Sequence, residues 1–261
     1  MNSYHASKYL KYIAFARHRK GHGIHSPFIF DIVSRVFRNK THEDVVFSIE
    51  KIRKMLISDR RSIIVNDFGS GQDKNKSKTR KVSEIARHSA VPRKYGLLLS
   101  RLAAEFGKPS IVELGTSFGI STMYMALSAP GSDVHTIEGC PECAAIAREN
   151  FKTAELEIKV HTGLFDSLLP EITGSGIKPG LVFIDGNHRK EPVLKYFAEF
   201  LSVSDESTVI VIDDICNSRE MSEAWSEIKR NEKVSATIDI FRMGIVFMRK
   251  DITRNNYIIR Y

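Results

Sequence analysis

At 261 residues, 42% of them apolar and 27% charged, the chain has the size and composition of a soluble globular protein with one large core. It has no apolar run of the roughly 18–20 residues that a membrane span needs, no secretory signal pattern, and three scattered cysteines that make no disulfide framework, so a reducing cytoplasm is the expected setting. The net charge of +8 is uneven: residues 1–108 carry 23 basic and 9 acidic side chains, +14, against 16 and 22, −6, for residues 109–261. A basic front half suits an anionic partner or a solvated face.

Residues 7–19 place Tyr9, Leu10, Ile13 and Ala14 at helical spacing, and the glycines of KGHG end that helix. Ser26-Pro27 supplies a cap and a first-turn proline for a second helix, PFIFDIVSRVFR, and a third is expected over 43–58. The strand-like RSIIVNDF then runs into the polar loop GSGQDKNKSKTR, followed by helices near 81–90 and 92–107. From residue 109 the texture becomes strands at 110–114, 133–138, 156–162, 181–185 and 207–214, separated by helical patterns at 120–128, 141–152, 165–172, 189–201 and 217–230. That alternation implies a parallel sheet covered on both faces. KVSATIDIFRMGIVFMRK reads as two strands around Arg242-Met243-Gly244, an antiparallel hairpin that closes the sheet. The chain thus divides into a basic, mainly helical segment, 1–92, with a flap at 67–81, and an α/β domain, 93–261.

Two stretches place glycines after a strand. In DFGSGQDKNKSKTRK no helix follows at once and no acid-tipped second strand lies at the right distance, so residues 67–81 read as a mobile basic flap or a plain surface loop. In VELGTSFGIST, Gly115 and Gly119 bracket the turn, with Ser121 and Thr122 on the first turn of the next helix. The second strand ends at Glu138, 25 residues after Glu113, where a Rossmann-type site grips ribose hydroxyls. The spacing is G-x-x-x-G, not the G-x-G-x-x-G of dinucleotide binders.

Together VELGTSFGISTMYMA, VHTIEGCPECAAIARENF, LVFIDGNHRKEPVLKYF and VIVIDDI resemble the ordered motifs of class I S-adenosylmethionine-dependent methyltransferases, over about 93–250. The nearest likeness is to small-molecule O-methyltransferases, and HGIHSPFIFDIV resembles an uncharacterised bacterial branch of them. The resemblance implies a Rossmann-like seven-stranded sheet, mostly parallel with a terminal antiparallel hairpin, behind an N-terminal helical segment. It implies S-adenosylmethionine along Glu113, Gly115, Thr116, Ser117, Gly119 and Ser121, with the ribose on Glu138, the adenine over Gly163 and Asp185 at the reacting end. Many relatives carry Asp or Asn after the glycine at 163; here Leu164 stands there, and Phe165 or Asp166 would substitute.

Asp185 ends the fourth strand and Asp213 and Asp214 the fifth, an oxygen-only set at the sheet edge where such folds bind ligands. Catechol-type relatives bind a metal with Asp and Asp-Asn at these positions. The set Asp185, Asp213 and Asp214 suits Mg²⁺; alternatively Asp185 contacts substrate or cofactor directly and Asp214 caps the helix at 217. His188 lies three residues past Asp185, and a histidine's ordinary pKa of about 6.5 suits a general base for a hydroxyl; a helix-cap role is the alternative.

The leading expectation is therefore an O-methyltransferase acting on a small molecule, which the basic front half suggests is anionic. RNA as acceptor, a nicotinamide-dependent oxidoreductase and a non-catalytic binding protein are the rivals. The fourth strand lacks the Pro-Pro-aromatic motif of amino-directed enzymes, and Cys140-Pro141 reverses the Pro-Cys of pyrimidine-directed ones. A homodimer is compatible with the sequence, which does not specify one.

Overall fold

The computed structural model describes residues 3–16, 21, 23–66 and 77–261. Residues 67–76, the larger part of the expected flap, and residues 17–19 of the first expected helix lie outside the described residues.

The centre is an eight-stranded sheet. In chain order its strands are β3 (Ser110–Leu114), β4 (Asp133–Glu138), β5 (Lys159–Thr162), β6 (Pro179–Ile184), β7 (Val209–Ile212), β8 (Ala236–Asp239), β9 (Gly244–Phe247) and β10 (Asn255–Ile258), in the spatial order β10-β8-β9-β7-β6-β3-β4-β5. Only β9 runs against its neighbours, so the terminal hairpin forms as the sequence implies. Seven strands were expected and eight are present, because Asn255–Ile258 adds in parallel to β8 beyond the hairpin. Its signal is short: Tyr257 and Ile259 are buried between the exposed Asn256, Ile258 and Arg260.

Side chains alternate across the central strands. Leu181, Phe183, Val209 and Val211 face one core with Ile111, and Val182, Ile184, Ile210 and Ile212 face the other with Val112 and Leu114. Burial on both sides explains why β3, β6 and β7 are continuously apolar or nearly so. Helices α8 (Phe165–Gly174), α9 (Lys190–Val203) and α10 (Arg219–Ile228) cover the second face. The first face receives α5 (Arg93–Phe106), α6 (Ile120–Ala126) and α7 (Pro141–Thr153) together with α2 (Pro27–Ser34), α3 (Glu43–Ser58) and α4 (Val82–Ser89). Apolar residues before and after residue 92 therefore share one core.

The front segment departs locally from the sequence pattern. Helix α1 spans Ser3–Phe15, earlier than residues 7–19, and its packed face is His5, Tyr9 and Tyr12, whose rings surround Phe241. Ser26 does cap α2, its hydroxyl accepting from the Ile29 N–H, but the helix stops at Ser34 and a 3-10 turn takes Val36–Arg38. Ser77–Lys81, expected as loop, is strand β2, paired antiparallel with β1 (Ser62–Asn66) in a separate two-stranded ribbon. The alternation that marks an amphipathic strand is missing from SKTRK because nearly all of β2 is exposed.

Phe183 is completely buried in the middle of the sheet. Phe183→Ala is expected to cost about 3–5 kcal/mol of stability, from lost transfer energy and the cavity left behind, measured by urea unfolding.

Candidate active site

After β3 the chain turns over the end of β4. The N–H groups of Gly115 and Thr116 both donate to the Ile137 carbonyl, at 3.0 and 3.3 Å. Gly115 has φ +100°, and a Cβ there would run into the Asp185 carbonyl oxygen, so two constraints require glycine. Ser117, at φ +48°, donates its N–H to Glu138 Oε2 at 2.7 Å, and the Cys140 N–H donates to Oε1 at 2.8 Å. The Gly163 N–H reaches the Glu138 backbone carbonyl at 2.9 Å. One residue thus joins the ends of β3, β4 and β5. Burial pushes the Glu138 carboxyl up to about 7, although both backbone N–H groups pull it down.

Glu113 and Gly119 lie beneath this loop rather than in it. Glu113 is fully buried, where Thr122 and Thr136 donate their hydroxyls to its Oε2, the latter at 2.7 Å. Burial raises its carboxyl pKa against the pull of the Ser121, Thr122 and Thr136 hydroxyls, yet Oε1 lacks an aligned hydrogen-bond partner. Gly119 takes φ +81° at the start of α6, and a Cβ there would strike the Phe151 ring. Helix packing, not approach to a ligand, accounts for the missing side chain.

The acidic end lies across the loop, where β6 and β7 finish. His188 Nε2 is 3.6 Å from Asp185 Oδ1. Burial, with Asp213 and Asp214 nearby, pushes the Asp185 carboxyl well above the usual range. Asp213 is fully buried and held by Arg242, whose Nε donates to Oδ1 at 3.0 Å and Nη2 to Oδ2 at 2.7 Å. Nη2 also lies 3.9 Å from Asp214 Oδ1. Burial works against the guanidinium charge, but Asp213, Asp214 and Asp185 outweigh it and hold the Arg242 pKa above its ordinary value.

A cavity of about 1080 Å³ connects the two ends. Of the sequence-derived candidates, Gly115, Thr116, Ser117, Ser121, Glu138, Gly163, Asp185, His188 and Asp214 line it; Glu113, Gly119 and Asp213 do not. The remaining wall includes Lys78, Thr79 and Arg80 of β2, His88 of α4, and Arg242. Sequence reasoning treated Arg242 only as a turn residue. The available signal was electrostatic: three acids at one sheet edge need a countercharge, and the β8–β9 turn arrives at that edge.

A nucleoside cofactor fits these residues. Backbone at Gly115 and Gly163 is exposed to the cavity, and Glu138 offers a carboxylate beside it. A divalent cation on Asp185, Asp213 and Asp214 does not fit, because Asp213 faces away from the cavity with both oxygens bonded to Arg242. Among the described residues no three His, Cys, Asp or Glu side chains converge as a metal-ligand set.

Residues 112–215 match the family model described as a methyltransferase domain. The structure is similar to that of an O-methyltransferase from Bacillus cereus in complex with SAH, at a TM-score of 0.55 and 21% identity, covering 84% of this chain and 97% of that one. The fold is that of class I S-adenosylmethionine-dependent methyltransferases. Among curated proteins, a catechol O-methyltransferase from Niastella koreensis is 35% identical over 124 residues, 46% of this chain and 55% of that protein. A catechol O-methyltransferase from Mycobacterium tuberculosis is 32% identical over 129 residues, 48% and 57% of the two chains. The chain spans about half the length of these curated relatives.

The raised Glu138 pKa has a consequence for stability. An acid that titrates near 7 when folded, against about 4.5 when unfolded, binds more protons in the folded state between those values. Stability is therefore expected to fall as pH rises from about 4.5 to 7, by on the order of 3 kcal/mol from this group. Urea unfolding across that window should show a decline that is smaller in Glu138→Gln than in the wild type by about that amount.

Proposed function

We propose that the chain is an S-adenosylmethionine-dependent O-methyltransferase acting on a hydroxyl group of a small molecule. The observation that carries this reading is the cavity's division of labour, with the Glu138-clamped glycine loop at one end and the Asp185–His188 pair at the other. Similarity to catechol O-methyltransferases supports oxygen as the acceptor atom.

The residues take distinct parts. The carboxylate of Glu138 accepts from the ribose hydroxyls, and Gly115 and Gly163 let the cofactor lie against backbone. When bound, S-adenosylmethionine supplies the methyl carbon and keeps, on its sulfur, the electron pair of the bond that breaks. His188 takes the acceptor's hydroxyl proton, and the imidazolium so formed faces Asp185 Oδ1, which favours both charges. Asp185 and Tyr196 flank the acceptor end; Tyr196 is fixed by the Asn187 side-chain amide, which donates to its hydroxyl at 3.1 Å.

The acceptor is taken to be small and anionic. Of the described Lys and Arg residues in the front half, Lys78 and Arg80 of β2 reach the cavity wall, where their charge acts on a ligand inside it. A cavity of about 1080 Å³ with these two cations on its wall favours a small molecule over RNA.

Two measurements test the reading. Isothermal titration calorimetry should show S-adenosylmethionine binding to the wild type and a loss of about 10–100-fold in affinity for Glu138→Ala, the value of hydrogen bonds to a charged group; unchanged affinity would sink the ribose assignment. Turnover of a panel of phenols and catechols should fall by about 10²–10⁴ in kcat for His188→Ala while cofactor affinity holds. Equal activity in that variant would remove His188 as the base.

A further inference from the structure

The turn between β8 and β9 carries a cation into the acid end of the cavity and fixes it there. Phe241, at φ +73°, donates its N–H to Asp239 Oδ1 at 2.8 Å. The Arg242 N–H donates to the Ile240 carbonyl at 2.9 Å, and the Arg242 carbonyl accepts from the Ile215 N–H at 3.1 Å. On the outside, the rings of His5, Tyr9 and Tyr12 lie 5.0, 5.0 and 5.3 Å from the Phe241 ring. The backbone of Arg242 is thus held by the sheet, by the segment after β7 and by α1.

Its guanidinium is equally constrained. The fork to Asp213 sets its plane, and the Tyr95 ring lies 5.5 Å from its central carbon. Nη1 donates to no described residue, and the side chain is 30% exposed on the cavity wall. A permanently charged donor, immobilised and with N–H groups to spare on the wall of the cavity that Asp185 and His188 also line, is what a developing oxyanion requires.

We propose that Arg242 does here what a divalent cation would do, receiving the acceptor's ionised oxygen on its free N–H groups, so that transfer by this chain needs no metal. The proposal rests on the methyltransferase reading above. Atoms and charge balance without a further reagent: the hydroxyl proton passes to His188, and the oxygen's electron pair forms the bond to the methyl carbon. The electrons of the broken carbon–sulfur bond stay on sulfur. A metal would have to displace a guanidinium from a carboxylate that has no other described partner and no exposure. One positive charge also stabilises an oxyanion less than two do, so the acceptor hydroxyl must be acidic in its own right.

Manganese(II) titrated into the wild type in the presence of the demethylated cofactor, and followed by electron paramagnetic resonance, decides the cation question without turnover. No binding up to millimolar metal is expected; stoichiometric binding that Asp213→Asn abolishes would overturn the proposal. 4-Nitrocatechol titrated in the presence of EDTA should show a bound phenolate band at a pH where the free phenol is still neutral. The Asp213→Asn/Arg242→Gln double variant, which removes the ion pair as a unit, should lose that band and about 10²–10³-fold in kcat with cofactor affinity intact. Arg242→Lys, which keeps the charge but not the fork, should lose most of both. Retention of the band in the double variant, or wild-type turnover abolished by EDTA and restored by Mg²⁺, would also overturn it. A wild type that binds no demethylated cofactor overturns the methyltransferase reading; manganese binding in a protein that does bind it overturns only the role of Arg242.

Discussion

Both carboxylate oxygens of Glu138 are engaged by backbone N–H groups, and the geometry of the glycine-loop end of the cavity depends on that engagement. The bond to Ser117 holds a positive-φ residue in place, which keeps the glycine turn open toward the cavity. The bond to Cys140 fixes the start of α7, and the backbone carbonyl of the same residue anchors Gly163. Three loops that come together only through the parallel arrangement of their strands are referenced to one side chain. Beneath them Glu113 repeats the device at full burial, joining β3 to α6 and β4 through the Thr122 and Thr136 hydroxyls.

At the other end of the cavity the organising problem is repulsion. Parallel strands that stop at the same edge deliver Asp185, Asp213 and Asp214 within reach of one another, and low local dielectric magnifies the cost of their charges. The fold answers with Arg242, bonded to the most buried of the three. The two ends therefore differ in kind. The first is an arrangement of backbone donors around carboxylates, and the second a cluster of carboxylates around one cation.

Much of this was legible in the sequence where local pattern and tertiary position agree. Glu43–Ser58, Ser110–Leu114 and Asp133–Glu138 fall where apolar periodicity puts them, because each buries the face its pattern advertises. Glu138 was visible as an acid at a strand tip. What stayed hidden was decided by partners remote in sequence. Alternation in β3 turns Glu113 toward α6, but the pattern does not reveal that two threonines satisfy it there. Gly119 looked like a ligand contact because its partner, Phe151, lies 32 positions away. Arg242 looked like turn punctuation because its partner, Asp213, lies 29 positions away just past β7, and β2 has too little burial to carry any pattern.

Helix α1 reads in sequence as a basic prelude, yet its rings close over Phe241, and Tyr12 also donates its hydroxyl to the Ile259 carbonyl while accepting from the Tyr261 N–H. The first described element and the last thus meet on the turn next to the acidic end. A modular view, in which the methyltransferase core could be cut out at residue 93 and exchanged between relatives, fails on this contact. Loss of α1 would leave the β8–β9 turn, which carries Arg242 to the cavity, without its outer wall.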